Sequence, residues 1–233
     1  MKIFVTGGTG YIGSHTVVEL QKNGYDVIIA DNLVNSSLDV LDGIEKITGI
    51  RPEFEEIDLT DGEVTRDFFA RHSDIRAVIH FAALKAVGES VNKPLEYYFN
   101  NLNSLMNVLF CMREFGVKYF VFSSSCTVYG QADVLPVTEH TPRKEAESPY
   151  GNTKVMSEDI IRDFMRVEPS MSALSLRYFN PIGAHPTAFI GELPNGVPNN
   201  LIPYLTQTAI GIRKELSVFG DDYNTPDGSP LRD

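Results

Sequence analysis

Cysteine is scarce: the 233 residues hold two, Cys111 and Cys126. Two thiols make neither a disulfide framework nor a cysteine-rich zinc site, and they fit a reducing compartment. Basic charge is also in deficit. Twenty Lys and Arg face 31 Asp and Glu, for a net charge of −11, which argues against a face that tracks nucleic-acid phosphates. A small anionic ligand is still allowed, because a local pocket can oppose the global charge. No run approaches ~18 consecutive apolar residues, so no membrane-spanning helix is expected. The opening MKIFVTGGTG lacks the long apolar core and cleavage site of a signal peptide. The five histidines, at 15, 72, 80, 140 and 185, show no metal-ligand spacing, and no metal is assigned. The reading is a soluble, cytoplasmic protein without repeats or low-complexity tracts.

What is present is ordinary globular composition: 42% apolar and 22% charged residues. At about 150 residues per domain, the length suits one large domain, or one with a partial second. Short apolar runs at 2–6, 26–30, 53–57, 76–80, 118–122 and 173–178 alternate with amphipathic stretches near 12–23, 37–48, 62–72, 95–115 and 149–167. That alternation predicts βαβ units and a parallel sheet with both faces covered. The texture changes after Tyr178, where residues 180–203 are rich in proline and glycine and read as ordered loop. A helix near 201–211 and a short strand over 216–219 are expected to follow. The fold class is therefore α/β, a Rossmann-type doubly wound sheet over 1–179. A small, incomplete C-terminal substrate-binding region is expected over 180–233.

The first strand runs into Gly7-Gly8-Thr9-Gly10-Tyr11-Ile12-Gly13. Glycines 8, 10 and 13 fit G-x-G-x-x-G, and glycines 7, 10 and 13 fit G-x-x-G-x-x-G. Such glycines allow a tight turn, backbone approach to a pyrophosphate and close helix–sheet packing. The free amides at the following helix N-terminus receive the phosphate charge. A plain strand-to-helix turn can also carry glycines. Here, however, Asp31 lies 18 residues past Gly13 at the end of the second strand, the position of the ribose-binding acid. No Arg or Lys occurs from 32 to 45 to neutralise a 2′-phosphate. The combination predicts a dinucleotide site that prefers NAD to NADP. Asp58, ending the third strand, is read either as an adenine-edge contact or as a helix N-cap.

Tyr150 and Lys154 stand four residues apart at the start of a helix, so their side chains share a face. A phenolate is a suitable base for a sugar hydroxyl if its pKa falls from ~10 to ~7, which takes about 4 kcal/mol. An ammonium at ~4 Å supplies roughly that at an effective dielectric of 20. The spacing alone is weak evidence, since an exposed helical pair looks the same. Position strengthens it: the pair follows the fifth strand, whose end carries Ser123-Ser124-Ser125, and ligands bind at strand C-termini in such sheets.

The segments TGGTGYIGSH, HFAALKAVGES (80–90), FSSSCTVYG (122–130), SPYGNTK (148–154) and LRYFNPIGAHP (176–186) closely resemble the extended short-chain dehydrogenase/reductases. More narrowly they resemble the UDP-hexose 4-epimerases, as do PNNLIPY (198–204) and the 217–233 stretch. The resemblance runs end to end. It implies a tightly held NAD and interconversion of UDP-glucose and UDP-galactose. It also implies a homodimer paired through the helices near 95–115 and 149–167. Residue by residue, Tyr150 matches the family base, Lys154 its partner, and Ser125 the serine beside the sugar hydroxyl. Gly7, Gly10, Tyr11, Ile12 and Gly13 match the pyrophosphate turn. Asp31, Asn32, Asn35 and Ser36 match the ribose and adenine region, with Asp58 and Leu59 at the adenine end. Phe81, Ala82, Ala83, Lys85, Asn100 and Phe179 match the remaining cofactor contacts, together with Tyr150 and Lys154, and Lys85 is read as a pocket lysine. Asn180, Asn200, Leu201, Ser217, Val218, Phe219 and Arg232 match substrate contacts, together with Ser125 and Tyr150.

A nucleotide-sugar 4,6-dehydratase would share the Tyr-Lys pair and NAD, but that family carries an Asp-Glu pair where this chain has Cys126 and Thr127. Neither is a carboxyl acid or base, and Cys126 is read as an inert, partly buried thiol. Family chains continue well past the LRD segment that closes this one. The expectation is a whole cofactor region, a partial substrate region, retained NAD and little epimerase activity. A non-catalytic NAD-binding fragment is the reading at that limit.

Overall fold

A computed structural model describes residues 1–229. Six strands form one parallel sheet in the order β3-β2-β1-β4-β5-β6. They are β1 (Lys2–Thr6), β2 (Asp26–Asp31), β3 (Glu53–Glu56), β4 (Ile75–His80), β5 (Tyr119–Ser123) and β6 (Ser172–Leu176). The helices are α1 (Tyr11–Lys22), α2 (Asp39–Thr48), α3 (Gly62–Arg71), α4 (Val87–Asn92), α5 (Pro94–Phe115), α6 (Pro149–Val167) and α7 (Leu201–Ala209). A single 3₁₀ turn spans Cys126–Tyr129. The doubly wound sheet expected from the βαβ alternation is the observed fold.

The alternation of side chains along each strand builds the two faces. Phe4 on β1 and Ile28 and Ala30 on β2 join Phe68 and Phe69 of α3, Leu105, Val108 and Met112 of α5, and Ile161 of α6 in one buried cluster. Ile3, Val5, Val27 and Ile29 point the other way, onto Val17 and Val18 of α1 and Leu41 and Ile44 of α2. The connections build the sheet outward from β1 to β3 on one side and from β4 to β6 on the other, so β1 and β4 flank the switch point where such sheets bind ligands.

The structure differs from the sequence reading at four places. The helix α4 and the 3₁₀ turn were not expected, because six- and four-residue pieces carry too few turns for a periodic signal. The sixth strand begins at Ser172 and ends at Leu176, so the Arg177-Tyr178 side chains leave the ladder. Residues 216–219 form no strand. Val218 and Phe219 are 74% and 82% exposed, and among the described residues no neighbouring strand lies alongside to pair with them. An extended segment becomes a strand only through such a ladder.

Candidate functional site

The glycine turn closes on itself too tightly for side chains. Gly7 has a φ of +66°, and a Cβ there would lie 2.7 Å from the Ala82 nitrogen. A Cβ on Gly13 would run into the Gly7 carbonyl and sit 2.8 Å from the Gly8 Cα. Gly7 N–H donates to the Ala30 carbonyl (2.8 Å) and Gly10 N–H to the Gly7 carbonyl (3.1 Å). Gly10 is the N-cap of α1 and supplies no side-chain cap. The first-turn amides of α1 thus keep the positive end of the helix dipole for an anion. A methyl-free cradle of this kind fits the pyrophosphate of a dinucleotide.

Asp31 ends β2 beside that turn. Its Oδ1 accepts from Leu33 N–H (3.0 Å) and the Ser36 hydroxyl (3.2 Å). The Thr9 and Ser36 hydroxyls are 2.7 Å apart, so the 32–36 loop, with Asn32 and Asn35, is tied to the turn. Asp31 Oδ2 has no hydrogen bond among the described residues, which leaves an acceptor for ribose hydroxyls. Asp58 is not a helix cap. It accepts from the Thr60 N–H and hydroxyl at 2.9 and 2.8 Å, while Asp61 caps α3. Leu59 beside it is buried. Asp58, Leu84, Phe99 and Asn100 line one open groove of about 470 Å³.

The loop after β4 lies against the glycine turn. Phe81 N–H donates to the Thr6 carbonyl (3.1 Å) and Ala82 N–H to the Thr6 hydroxyl (3.2 Å), and Ala83 continues the loop. Buried Asn101 pins its far end by accepting from Leu84 N–H (2.8 Å) and donating to the Leu84 carbonyl (3.0 Å). That pinning turns Lys85 outward: its side chain is 59% exposed and faces Glu192 at 3.8 Å. It is not the enclosed pocket lysine that the sequence suggested.

The Tyr150 end is set by the start of α6. Ser148 caps the helix by accepting from Gly151 N–H (3.1 Å), and Pro149 opens it. Tyr150 and Lys154 then face the end of β5. Each of the three serines there does something different. Ser123 offers its carbonyl to the Lys154 ammonium at 2.8 Å. Ser124 donates to Glu158 at 2.6 Å. Ser125 carries the hydroxyl beside the Tyr150 phenol. Sequence spacing brought Tyr150, Lys154 and Ser125 together as candidates, and the fold brings their side chains together.

The electrostatics correct the expectation of a tyrosine lowered by its lysine. Burial pushes Tyr150 up to about 12, with only the Ser125 hydroxyl pulling it down. Lys154 is buried and lies 5.7 Å from the Tyr150 ring centroid and 4.9 Å from that of Phe122. Burial lowers it to about 8. At 5.7 Å and an effective dielectric of 20, the ammonium offers roughly 3 kcal/mol. Bringing the phenol from about 12 to neutrality needs about 7 kcal/mol. Neighbouring His80 is pushed down to about 3 by burial and by Lys154, so it is neutral. Its Nδ1 lies 2.9 Å from the Thr6 hydroxyl.

The residues past the sheet fold back in part. Tyr11 donates to the Gly183 carbonyl (2.8 Å), and Ile190 is buried among α1 and α2. Phe179 is 42% exposed, and Asn180 is exposed at the strand-side end of this loop. The amide of Asn200, at the start of α7, bonds Glu192, whose other partner is Lys85. Leu201 is half-exposed. No hydrogen bond or ion pair among the described residues links Ser217, Val218 or Phe219 to Tyr150, and all three are exposed. The absent strand at 216–219 removes the support that would have aimed them. Arg232 lies outside the described residues.

Sequence reasoning missed two features here. Glu158, one helical turn past Lys154, is buried and paired with Arg177; the four-residue spacing of Tyr150, Lys154 and Glu158 was the available signal. Thr127 Oγ1 is the one buried side-chain polar atom without a hydrogen-bond partner among the described residues.

This site sits in a chain with extensive relatives. It is 52% identical over 235 residues to the UDP-glucose 4-epimerase of Schizosaccharomyces pombe, covering 99% of this chain and 66% of that protein. It is 53% identical over 233 residues to the UDP-glucose 4-epimerase of Bacillus subtilis, covering 100% of this chain and 68% of the relative. The chain thus spans about two thirds of the length of these relatives. Among solved structures, the Bifidobacterium longum UDP-glucose 4-epimerase in complex with NAD+ and UDP superposes with a TM-score of 0.94 at 49% identity. That match covers 98% of this chain and 68% of that one. The model of the NAD dependent epimerase/dehydratase family matches residues 3–233, and the chain belongs to that family.

Proposed function

We propose that this chain carries the cofactor site and reacting centre of an NAD-dependent UDP-hexose 4-epimerase that interconverts UDP-glucose and UDP-galactose through a transient 4-keto sugar. The observation that carries the reading is the convergence of Tyr150, Ser125 and Lys154 at the end of β5. The likeness to relatives named UDP-glucose 4-epimerase supports it. The organisation proposed is a cofactor half over 1–179 and a nucleotide-sugar-binding region over 180–233.

NAD, when bound, would supply the site with a group that can accept and give back a hydride, and with a positive charge. Gly7, Gly10, Gly13 and the α1 amides would hold its phosphates, and Asp31 its ribose. Tyr150 takes the proton from the sugar 4-hydroxyl and later restores it, so acid and base are one residue. Ser125 holds the sugar oxygen by hydrogen bonding. Lys154, fixed by the Ser123 carbonyl, keeps a cation behind the phenol. The 4-keto sugar turns about its link to UDP between the two steps, and no net redox change results.

The catalytic test is UDP-galactose turnover with added NAD by the parent and by Tyr150→Phe. Loss of roughly 10²–10⁴-fold in rate is expected for a missing base. Substrate deuterated at C4 is expected to keep its label in the product; release of the label to solvent would refute direct hydride return. Exposed Leu95, Phe99 and Phe110 on α5 support pairing of two copies, which light scattering tests. No helix among the described residues is long and apolar enough to cross a membrane; the location proposed is the cytoplasm.

A further inference from the structure

The inner face of α6 does not stop at the Tyr150–Lys154 pair. Four residues further on, Glu158 is buried and meets the segment that carries Ser125 directly at Ser124 and, through Arg177, at Tyr129. Its Oε1 accepts from the Ser124 hydroxyl at 2.6 Å. Arg177, the first residue past β6, donates to both carboxylate oxygens, Nε to Oε1 at 2.8 Å and Nη2 to Oε2 at 2.7 Å. Arg143 approaches Oε2 at 3.6 Å and bonds Asp159 at 2.6 Å. The Arg177 guanidinium also lies 5.1 Å from the Tyr129 ring centroid, over the 3₁₀ turn. Next along the chain, Tyr178 closes the same segment. Its carbonyl accepts from Cys126 N–H at 3.1 Å, and its hydroxyl meets Ser123 Oγ.

The geometry points to Glu158 as a positioning residue that clamps the Ser123–Tyr129 segment between α6 and β6. The clamp sets the Ser125 hydroxyl and the Ser123 carbonyl against Tyr150 and Lys154. A bidentate arginine–carboxylate pair has a fixed orientation, and a buried carboxylate without its partners is strongly unfavourable. One rigid joint therefore fixes two groups of the reacting centre at once. Ser123 and Ser125 flank the tethered residue, so a shift of Ser124 moves both. A misplacement near 1 Å in such a constellation is enough to cost on the order of 100-fold in rate. The inference rests on the epimerase reading above for its kinetic form, though not for its geometry.

Two variants test it, in the full 233-residue chain with added NAD and UDP-galactose. Glu158→Gln loses the charge that orders Arg177. Ser124→Ala keeps the ion pair and cuts only the tether to the turn, so it remains informative if the first variant folds poorly. Turnover should fall by roughly 10- to 100-fold in Glu158→Gln and by roughly 3- to 10-fold in Ser124→Ala, with KM within about twofold of the parent. In both variants Cys126 should react at least about fivefold faster with 5,5′-dithiobis(2-nitrobenzoate) under native conditions, because its segment is released; Cys111 is buried. Parent-like turnover in Ser124→Ala, or a loss confined to KM, overturns the inference. If turnover by the parent is too low to compare, which bears on the functional reading and not on the clamp, the thiol rates alone decide: unchanged rates in both variants overturn the clamp.

Discussion

Replacing Lys154 by methionine should raise stability at neutral pH while lowering activity. The ammonium is buried with a backbone carbonyl and aromatic faces around it. Burial lowers its pKa from 10.5 to about 8. That difference makes the charged form about 3 kcal/mol less favourable in the folded chain than in the unfolded one. Methionine of similar length removes this cost. It also leaves the Ser123 carbonyl without its donor, a loss of about 1–3 kcal/mol. The net expectation at pH 7 is a gain of about 1 kcal/mol, or a Tm roughly 2–4 °C higher. The pH dependence carries the sign. Between about pH 8 and 10.5 the unfolded chain binds a proton that the folded chain does not, so the parent gains stability as pH rises through that window. The advantage of Lys154→Met should shrink there and reverse above it. Over the same comparison the phenol loses the ammonium that stands 5.7 Å from its ring centroid, and turnover should fall on the order of 10-fold or more, as for a base shifted by one pKa unit. Calorimetric unfolding at pH 7 and pH 10, with UDP-galactose turnover at pH 7, checks both halves. A variant destabilised by more than about 2 kcal/mol at both pH values, or one with parent-like turnover, would refute the reasoning.

Asp31→Ala should weaken NAD binding by roughly 1–3 kcal/mol for the lost charged acceptor and narrow the preference over NADP; titration with both dinucleotides reads it, and an unchanged ratio would remove Asp31 from specificity. Gly13→Ala should abolish NAD binding while the sheet stays folded, because its Cβ has no room against the Gly7 carbonyl; calorimetric titration beside circular dichroism separates the two, and normal affinity would contradict the cradle. Thr127→Val should be neutral or stabilising by about 1 kcal/mol, since it removes a buried hydroxyl with no partner among the described residues; a loss above about 1 kcal/mol in denaturant unfolding would mean that the hydroxyl is satisfied.

The sequence alone determined the layers and the cofactor end of the molecule. Strand periodicity and βαβ alternation are local properties, so β1, β2, β4 and the helices α1, α5 and α6 were readable within a few residues. The glycine turn and Asp31 were readable because backbone sterics allow few residue types there. Tertiary structure decided what depends on partners distant in sequence. Residues 216–219 are apolar enough for a strand, but among the described residues no neighbour completes a ladder. Lys85 points outward because Asn101, on another helix, pins its loop. Spacing could pair Tyr150 with Lys154, but not report that the ammonium turns to the Ser123 carbonyl and leaves the phenol raised by burial. Nor could it sort three adjacent serines, whose roles are assigned by Lys154, Glu158 and Tyr150 on α6. Burial and long-range hydrogen bonding set both a pKa and a side chain's direction, and a linear pattern carries neither.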